Sequence, residues 1–253
     1  MEIYYDVFGA GDETLVFVGG WGVPTAVEVW KHQLSFSSKY KLVLLDLAGH
    51  GKSGKNRENY TMELFAHDVK SVIEDLDLTN ILLIGHSMGG PVILEVERLI
   101  SERITGLIAI DSLFLIPESS YAGHEDQSVK EFVKPLENDF IGTVRTMFKS
   151  MLSDKMNLQD IEAIEKTPDL LDKRSMVSAM AELQRWDMRK TLPHISKPLK
   201  CIVAGKSLSR EYRAEYNQVF DAVYLEDLGH LLFLEDPILF NKSLEACISE
   251  LVN

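Results

Sequence analysis

Five stretches of the chain are apolar without alternation: TLVFV from residue 14, YKLVLL from 40, ILLIG from 81, ITGLIAI from 104 and LKCIVA from 199. Runs of this length and β-branched content predict strands covered on both faces, as in a parallel sheet. Residues 2 to 8 alternate more weakly and predict an edge strand, and AVYLEDLGH at 222 to 230 predicts a last one. Between the strands, apolar residues recur at helical spacing. Helices are expected from near Pro24-Thr25, from Thr61 to Leu76, through PVILEVERLIS, from Ser209, and near Pro237 to Val252. The glycine-bearing loops all follow strands, so they gather at the carboxyl edge, where open α/β sheets place their sites.

Residues 117 to 190 break this alternation. They contain no strand-like run, and Pro135 and Pro168 punctuate mainly helical stretches such as FIGTVRTMFKSML. The expected architecture is α/β: a mostly parallel central sheet with helices on both faces. A core of residues 1–115 and 191–253 carries a helical cap insertion, 116–190, after the strand ending at Asp111. No repeat, low-complexity segment or interdomain linker interrupts it.

Composition narrows the function classes. Hydrophobic residues make up 45% of 253, enough for a sizeable core. Lys and Arg number 26 against 39 Asp and Glu, a formal charge of −13, which argues against nucleic acid and anionic membrane surfaces as partners. Cys201 and Cys247 lie far apart in apolar runs and read as buried free thiols of a reducing compartment. The segment MEIYYDVFGAGDE lacks the basic start and apolar core of a secretory signal. No apolar run approaches the roughly 18 residues of a membrane span. The expectation is a soluble, cytoplasmic protein.

The candidate chemistry centres on ILLIGHSMGG, residues 81 to 90. A serine between two glycines, with a strand before and a helix after, is the pattern of a nucleophile elbow. Ser87 must be held in strained backbone there, and glycines on either side remove Cβ atoms from a tight corner. A serine nucleophile needs a base, itself oriented by a carboxylate. Seven histidines compete: His32, His50, His67, His86, His124, His194 and His230. Only His230 follows a late strand in a Gly-His corner. His86 adjoins the serine but points elsewhere at such a turn, and His50, within GHG, reads as stabilising its loop. For the acid, Asp111 comes directly off a strand end one strand beyond the elbow. Glu211 is the competitor, already explained as an early helical residue behind Ser209. Two backbone N–H groups are needed for a developing oxyanion. Met88, after the nucleophile, is one source, and Trp21, in the glycine-rich loop after TLVFV, is the other. The segment GHGKSG imitates a phosphate loop, but the first glycine of that motif would fall at Asp46. The glutamates of the cap show no metal-ligand spacing and read as solvated faces.

With these residues in hand, the chain resembles the α/β-hydrolase superfamily over nearly its whole length. GHSMGG stands where the family has its nucleophile elbow, DLAGHGKS where it has a D-x-x-G-x-G-x-S loop, and GHLLFLEDP where it has its histidine. GGWG stands where many members have His-Gly-x-Gly, with Gly19 in place of that histidine. Most members carry an aspartate in the turn after the strand before last, near Leu208 here, where this sequence has KSLS. Some place the acid after the strand following the elbow, and IAIDSL looks like that arrangement. Members that cleave epoxides or carbon–halogen bonds use an aspartate nucleophile, so Ser87 argues against both.

The expected activity is hydrolysis of a carboxylic ester, lactone or thioester through an acyl-enzyme on Ser87, with no cofactor and no metal. The partner is a small-molecule acyl substrate with an apolar part. Leu113, Phe114, Phe132, Phe140, Met147, Phe148, Met151 and Trp186 are candidate lining. The same residues also suit carbon–carbon bond hydrolysis or acyl transfer. The absent late-strand acid suits a ligand-binding receptor with slow hydrolysis. Oligomeric state and cap mobility are left open by the sequence.

Overall fold

The apolar runs become the interior strands of a seven-stranded sheet in the computed structural model of the protein, which describes residues 1–114 and 126–252. These are β2 (Thr14–Val18), β3 (Lys41–Leu45), β4 (Ile81–His86), β5 (Ile104–Ile110) and β6 (Leu199–Ala204). β1 (Tyr5–Phe8) and β7 (Asp221–Leu225) close the two edges, in the order β1-β3-β2-β4-β5-β6-β7. Only β1 runs antiparallel, against β3. Asp221 and Val223 on β7 are exposed, as an edge strand allows, whereas every residue of β2 and β4 is buried.

Alternation along each strand sorts the core into two layers. Val16, Val43, Leu83, Ala109 and Val203 face one side, and Phe17, Leu44, Ile84, Ile110 and Ile202 face the other. The first layer is covered by α2 (Met62–Asp75) and α3 (Gly89–Ile100). The second is covered by the single turn α1 (Ala26–Val29), α10 (Leu232–Glu235) and α11 (Pro237–Val252). Side-chain caps start the helices where the sequence predicts them: Thr61 accepts from the Leu64 N–H, and Ser209 does the same for Tyr212 ahead of α9 (Arg210–Tyr216). The helix expected from Pro24-Thr25 is shorter than its pattern. It ends after one turn and gives way to a 3₁₀ stretch at Gln33–Ser38, which seats Phe36 beside Tyr40.

Between β5 and β6 the regular elements of the described residues are all helical, among them α4 (Asp126–Asn138), α5 (Phe140–Met151), α6 (Leu158–Lys166), α7 (Lys173–Arg185) and α8 (Met188–Thr191). The expected start of the cap at 116, and His124, lie outside the described residues. Among the described residues no helix is long and apolar enough to cross a membrane. Both cysteines are buried free thiols, their pKa values raised by burial to about 12 at Cys201 and about 11 at Cys247.

The cap is docked by buried polar groups as well as by apolar surface. Glu95 on α3 accepts from the Trp186 indole N–H at 2.9 Å and from the Thr191 hydroxyl at 2.6 Å, and pairs with Arg98 at 2.7 Å. The Ser175 hydroxyl, at the start of α7, donates to the Tyr60 phenol at 2.9 Å. Glu95→Ala removes the acceptor of the part-buried Trp186 indole and the buried Thr191 hydroxyl, and a buried donor left unsatisfied costs about 1–3 kcal/mol. We expect a lower urea midpoint for this variant, measured by circular dichroism, with little change in the slope of the transition.

Candidate active site

Ser87 follows the last residue of β4 and takes left-handed backbone, φ 53°. The corner is too tight for side chains on its flanks. A Cβ on Gly85 would lie 2.3 Å from the Gly89 carbonyl oxygen, and one on Gly89 would lie 2.3 Å from the Val18 carbonyl oxygen. The strained residue is held through its own backbone. Its N–H donates to the Ile110 carbonyl at 3.0 Å, and its carbonyl accepts from the Gly90 N–H and the Ser112 hydroxyl.

Sheet register sets what stands beside it. β4 and β5 pair His86 with Ile110, so Ser87 and Asp111 leave adjacent strands at the same level. Asp111 is also left-handed, φ 43°, and its side chain is fully buried. Its Oδ1 accepts from the Ala204 N–H at 2.8 Å. Its Oδ2 accepts from the Ser207 hydroxyl at 2.7 Å and from His230 Nδ1–H at 2.5 Å. With the proton on Nδ1, the neutral imidazole carries its lone pair on Nε2. Ser207 lies in the KSLS turn after β6, where the sequence offers no carboxylate; its hydroxyl supports the carboxylate reaching across from β5. Glu211 lies exposed on α9.

The other histidines separate by burial. His86 is buried, and its Nε2–H donates to the His230 carbonyl at 3.0 Å, with the two rings 4.5 Å apart. Burial, reinforced by the neighbouring His230, holds its pKa well below the ordinary range. His50 donates from Nδ1 to the Ala48 carbonyl at 3.1 Å and accepts at Nε2 from the Gly22 N–H at 3.2 Å. It thereby ties the DLAGHG loop to the glycine-rich loop after β2, and burial pushes its pKa down to about 4. His67 and His194 are exposed, and His32 is partly exposed.

Met88 is buried at the threshold of α3 and lines a cavity of about 240 Å³ together with Ser87, Asp111 and His230. Leu113, Phe114, Leu183 and Trp186 form much of its apolar wall. Trp21 sits in the loop after β2, but its indole turns to the cap: Nε1–H donates to the Met176 carbonyl at 2.8 Å, and the ring packs edge-on to Phe148. The candidate lining thus divides. Phe140 is buried in the core, Phe148 packs on Trp21, and Phe132 is 51% exposed on α4. A wider groove between α4 and α7, bordered by Lys130, Val133 and Arg174, includes none of Ser87, Asp111 or His230.

Residues 15–242 match the alpha/beta hydrolase family. The chain belongs to that family. It is 26% identical, over 98% of both chains, to the pimeloyl-[acyl-carrier protein] methyl ester esterase of Wigglesworthia glossinidia brevipalpis. It is 24% identical to the Karrikin insensitive 2 receptor CA of Petunia hybrida, over 80% of this chain and 77% of the receptor. Among solved structures, an esterase from Exiguobacterium antarcticum superposes with a TM-score of 0.84 at 20% identity, over 98% of this chain and 95% of that one. The last likeness is one of fold.

Local sequence does not announce Ser207, Ser112 or Tyr216, whose hydroxyl donates to the Ser112 carbonyl at 2.9 Å. A hydroxyl opposite a carboxylate ninety-odd residues away has no spacing to read. His50 gives this hydrolase-family chain a definite pH dependence. The unfolded chain takes up its proton near the ordinary value of 6.5 and the folded chain only near 4, so the unfolded state binds more protons between them. Stability therefore falls as pH drops through that window, and His86 adds in the same direction. Urea midpoints at successive pH values should show this slope, and His50→Gln should flatten it.

Proposed function

We propose that this family member is a serine hydrolase that cleaves a carboxylic ester through an acyl-enzyme on Ser87. The observation that carries the reading is the hydrogen bond from His230 Nδ1–H to the buried Asp111 carboxylate, beside the left-handed serine of β4. It supplies the acid that the late-strand turn lacks. That supports hydrolysis over the reading of a receptor with slow hydrolysis. Ester cleavage is also the activity carried in the name of the Wigglesworthia protein.

In this mechanism Ser87 Oγ attacks the ester carbonyl carbon while His230 Nε2 takes the hydroxyl proton. The carbonyl π-bond electrons move to oxygen, and the backbone N–H groups of Met88 and Trp21 bind the resulting oxyanion. The imidazolium is stabilised by Asp111, which keeps its negative charge. Collapse of the tetrahedral species breaks the bond to the alcohol oxygen, which leaves with the proton from His230. Water then repeats the sequence on the acyl-serine, again through His230, and releases the acid. In the proposed division into a core of 1–115 and 191–253 and a cap of 116–190, the described cap residues Leu183 and Trp186 line the cavity. The apolar wall of Leu113, Phe114, Leu183 and Trp186 suits an acyl substrate with an apolar part.

Ser87→Ala should abolish turnover of a short p-nitrophenyl ester and labelling by a fluorophosphonate; retained turnover would refute the assignment. Asp111→Asn should lower kcat by on the order of 10³ to 10⁴. Ser207→Ala should lower it far less. An Asp111→Asn variant with unchanged kcat would instead move the acid to Glu211.

A further inference from the structure

Glu235, the last residue of α10, is 7% exposed and is hydrogen-bonded to neutral donors. Its Oε1 accepts from the Ser153 N–H at 3.0 Å. Its Oε2 is shared between the Ser153 hydroxyl and the Gly229 N–H, the latter at 2.7 Å. One oxygen thus joins two separate pieces of chain: the exit of α5 in the helical cap, and the turn after β7. The next N–H along that turn, of His230 itself, donates to the Met151 carbonyl at 2.8 Å. The two pieces are pressed together so closely that a Cβ on Gly229 would stand 2.4 Å from the Met151 carbonyl oxygen.

His230 is therefore gripped at three points by three parts of the molecule. The cap holds its N–H, His86 of β4 holds its carbonyl, and Asp111 holds its imidazole. The last two grips come from the carboxyl ends of β4 and β5 in the sheet. The first depends on the cap staying in place, and beside the bond between His230 and Met151 the Glu235 carboxylate adds its own hydrogen bonds from the cap segment to the turn. Without it the Ser153 and Gly229 N–H groups lose their acceptor in a buried site, and the turn must shift or admit water to recover one.

We infer that Glu235 is a positioning residue, which locks the α5 exit of the cap onto the turn at 229 and 230 and so fixes the His230 imidazole for proton transfer. This rests on the hydrolase reading above for its catalytic consequence, but not for its geometry. Displacing a reacting group by about 1 Å costs on the order of 10² in rate.

The test uses the full chain with Glu235→Ala, Glu235→Gln and Ser153→Ala, each first shown to be folded by its thermal transition. Two readouts follow: kcat and KM on a p-nitrophenyl ester, and NMR of His230, by amide hydrogen exchange and imidazole titration. For Glu235→Ala we expect kcat to fall on the order of 10²-fold with KM little changed, together with faster exchange at the His230 amide and a displaced titration. Glu235→Gln, which retains one acceptor oxygen, should fall between, and Ser153→Ala should show the same pattern more mildly. If Glu235→Ala fails to fold, the Ser153→Ala measurements decide. Unchanged exchange and titration in a folded variant, or a loss of kcat no larger than its unfolded fraction, overturns the inference. If Ser87 resists phosphonylation in the wild type, the hydrolase reading fails while the NMR result still judges Glu235.

Discussion

A carboxylate with no exposed side-chain surface must be compensated at once, and Asp111 is compensated by a backbone N–H, a hydroxyl and an imidazole N–H. Each of these comes from a different segment, so this one group fixes β5, β6, the turn after β6 and the turn after β7 against each other. The same backbone device serves both strand ends. Ser87 and Asp111 are left-handed, and their N–H groups donate to the Ile110 and Ile202 carbonyls of the next strands over. The pleat alternates side chains between the two faces of a sheet. A single left-handed residue past the last pair breaks that alternation, so two neighbouring strands present their functional groups along the rim.

Much of this is legible in the residues. Buried parallel strands have a strong signature because both faces are covered, so TLVFV, ILLIG and LKCIVA need no partner to be recognised. The last helix, Pro237–Val252, begins at its proline as the sequence predicts. Asp111 is found by asking which acid leaves a strand end without another explanation, and it is the acid that the structure bonds to His230. What stays hidden is polar and non-local. Ser207 supplies a hydroxyl from a turn that reads as lacking an acid, and Glu235 reads only as part of the histidine's surroundings. The one-turn α1 departs from its pattern because tertiary packing of Trp30 against Phe17 and Phe233 overrides helical spacing.

The helical insertion is joined to the working parts of the core rather than resting on it. Met176 receives the indole N–H of Trp21 from the loop after β2, and Met151 receives the N–H of His230. Glu95 holds Trp186 and Thr191 from α3, the helix that the serine corner launches. The loops that carry the proposed oxyanion donor and base are thus each bonded to the cap.

The position of Asp111 also bears on the order in which the site assembles. Ser112 meets Ser87 across 25 residues, whereas His230 meets Asp111 across 119. Closing the longer loop carries the greater entropic cost, and such contacts tend to form late. As the chain leaves the ribosome, β4, α3 and β5 emerge with both the serine and the carboxylate. The residues that neutralise and orient that carboxylate follow only after the whole insertion has been made. Until those later segments fold back, a nascent chain holds Ser87 beside an acid that still lacks its Ala204, Ser207 and His230 partners.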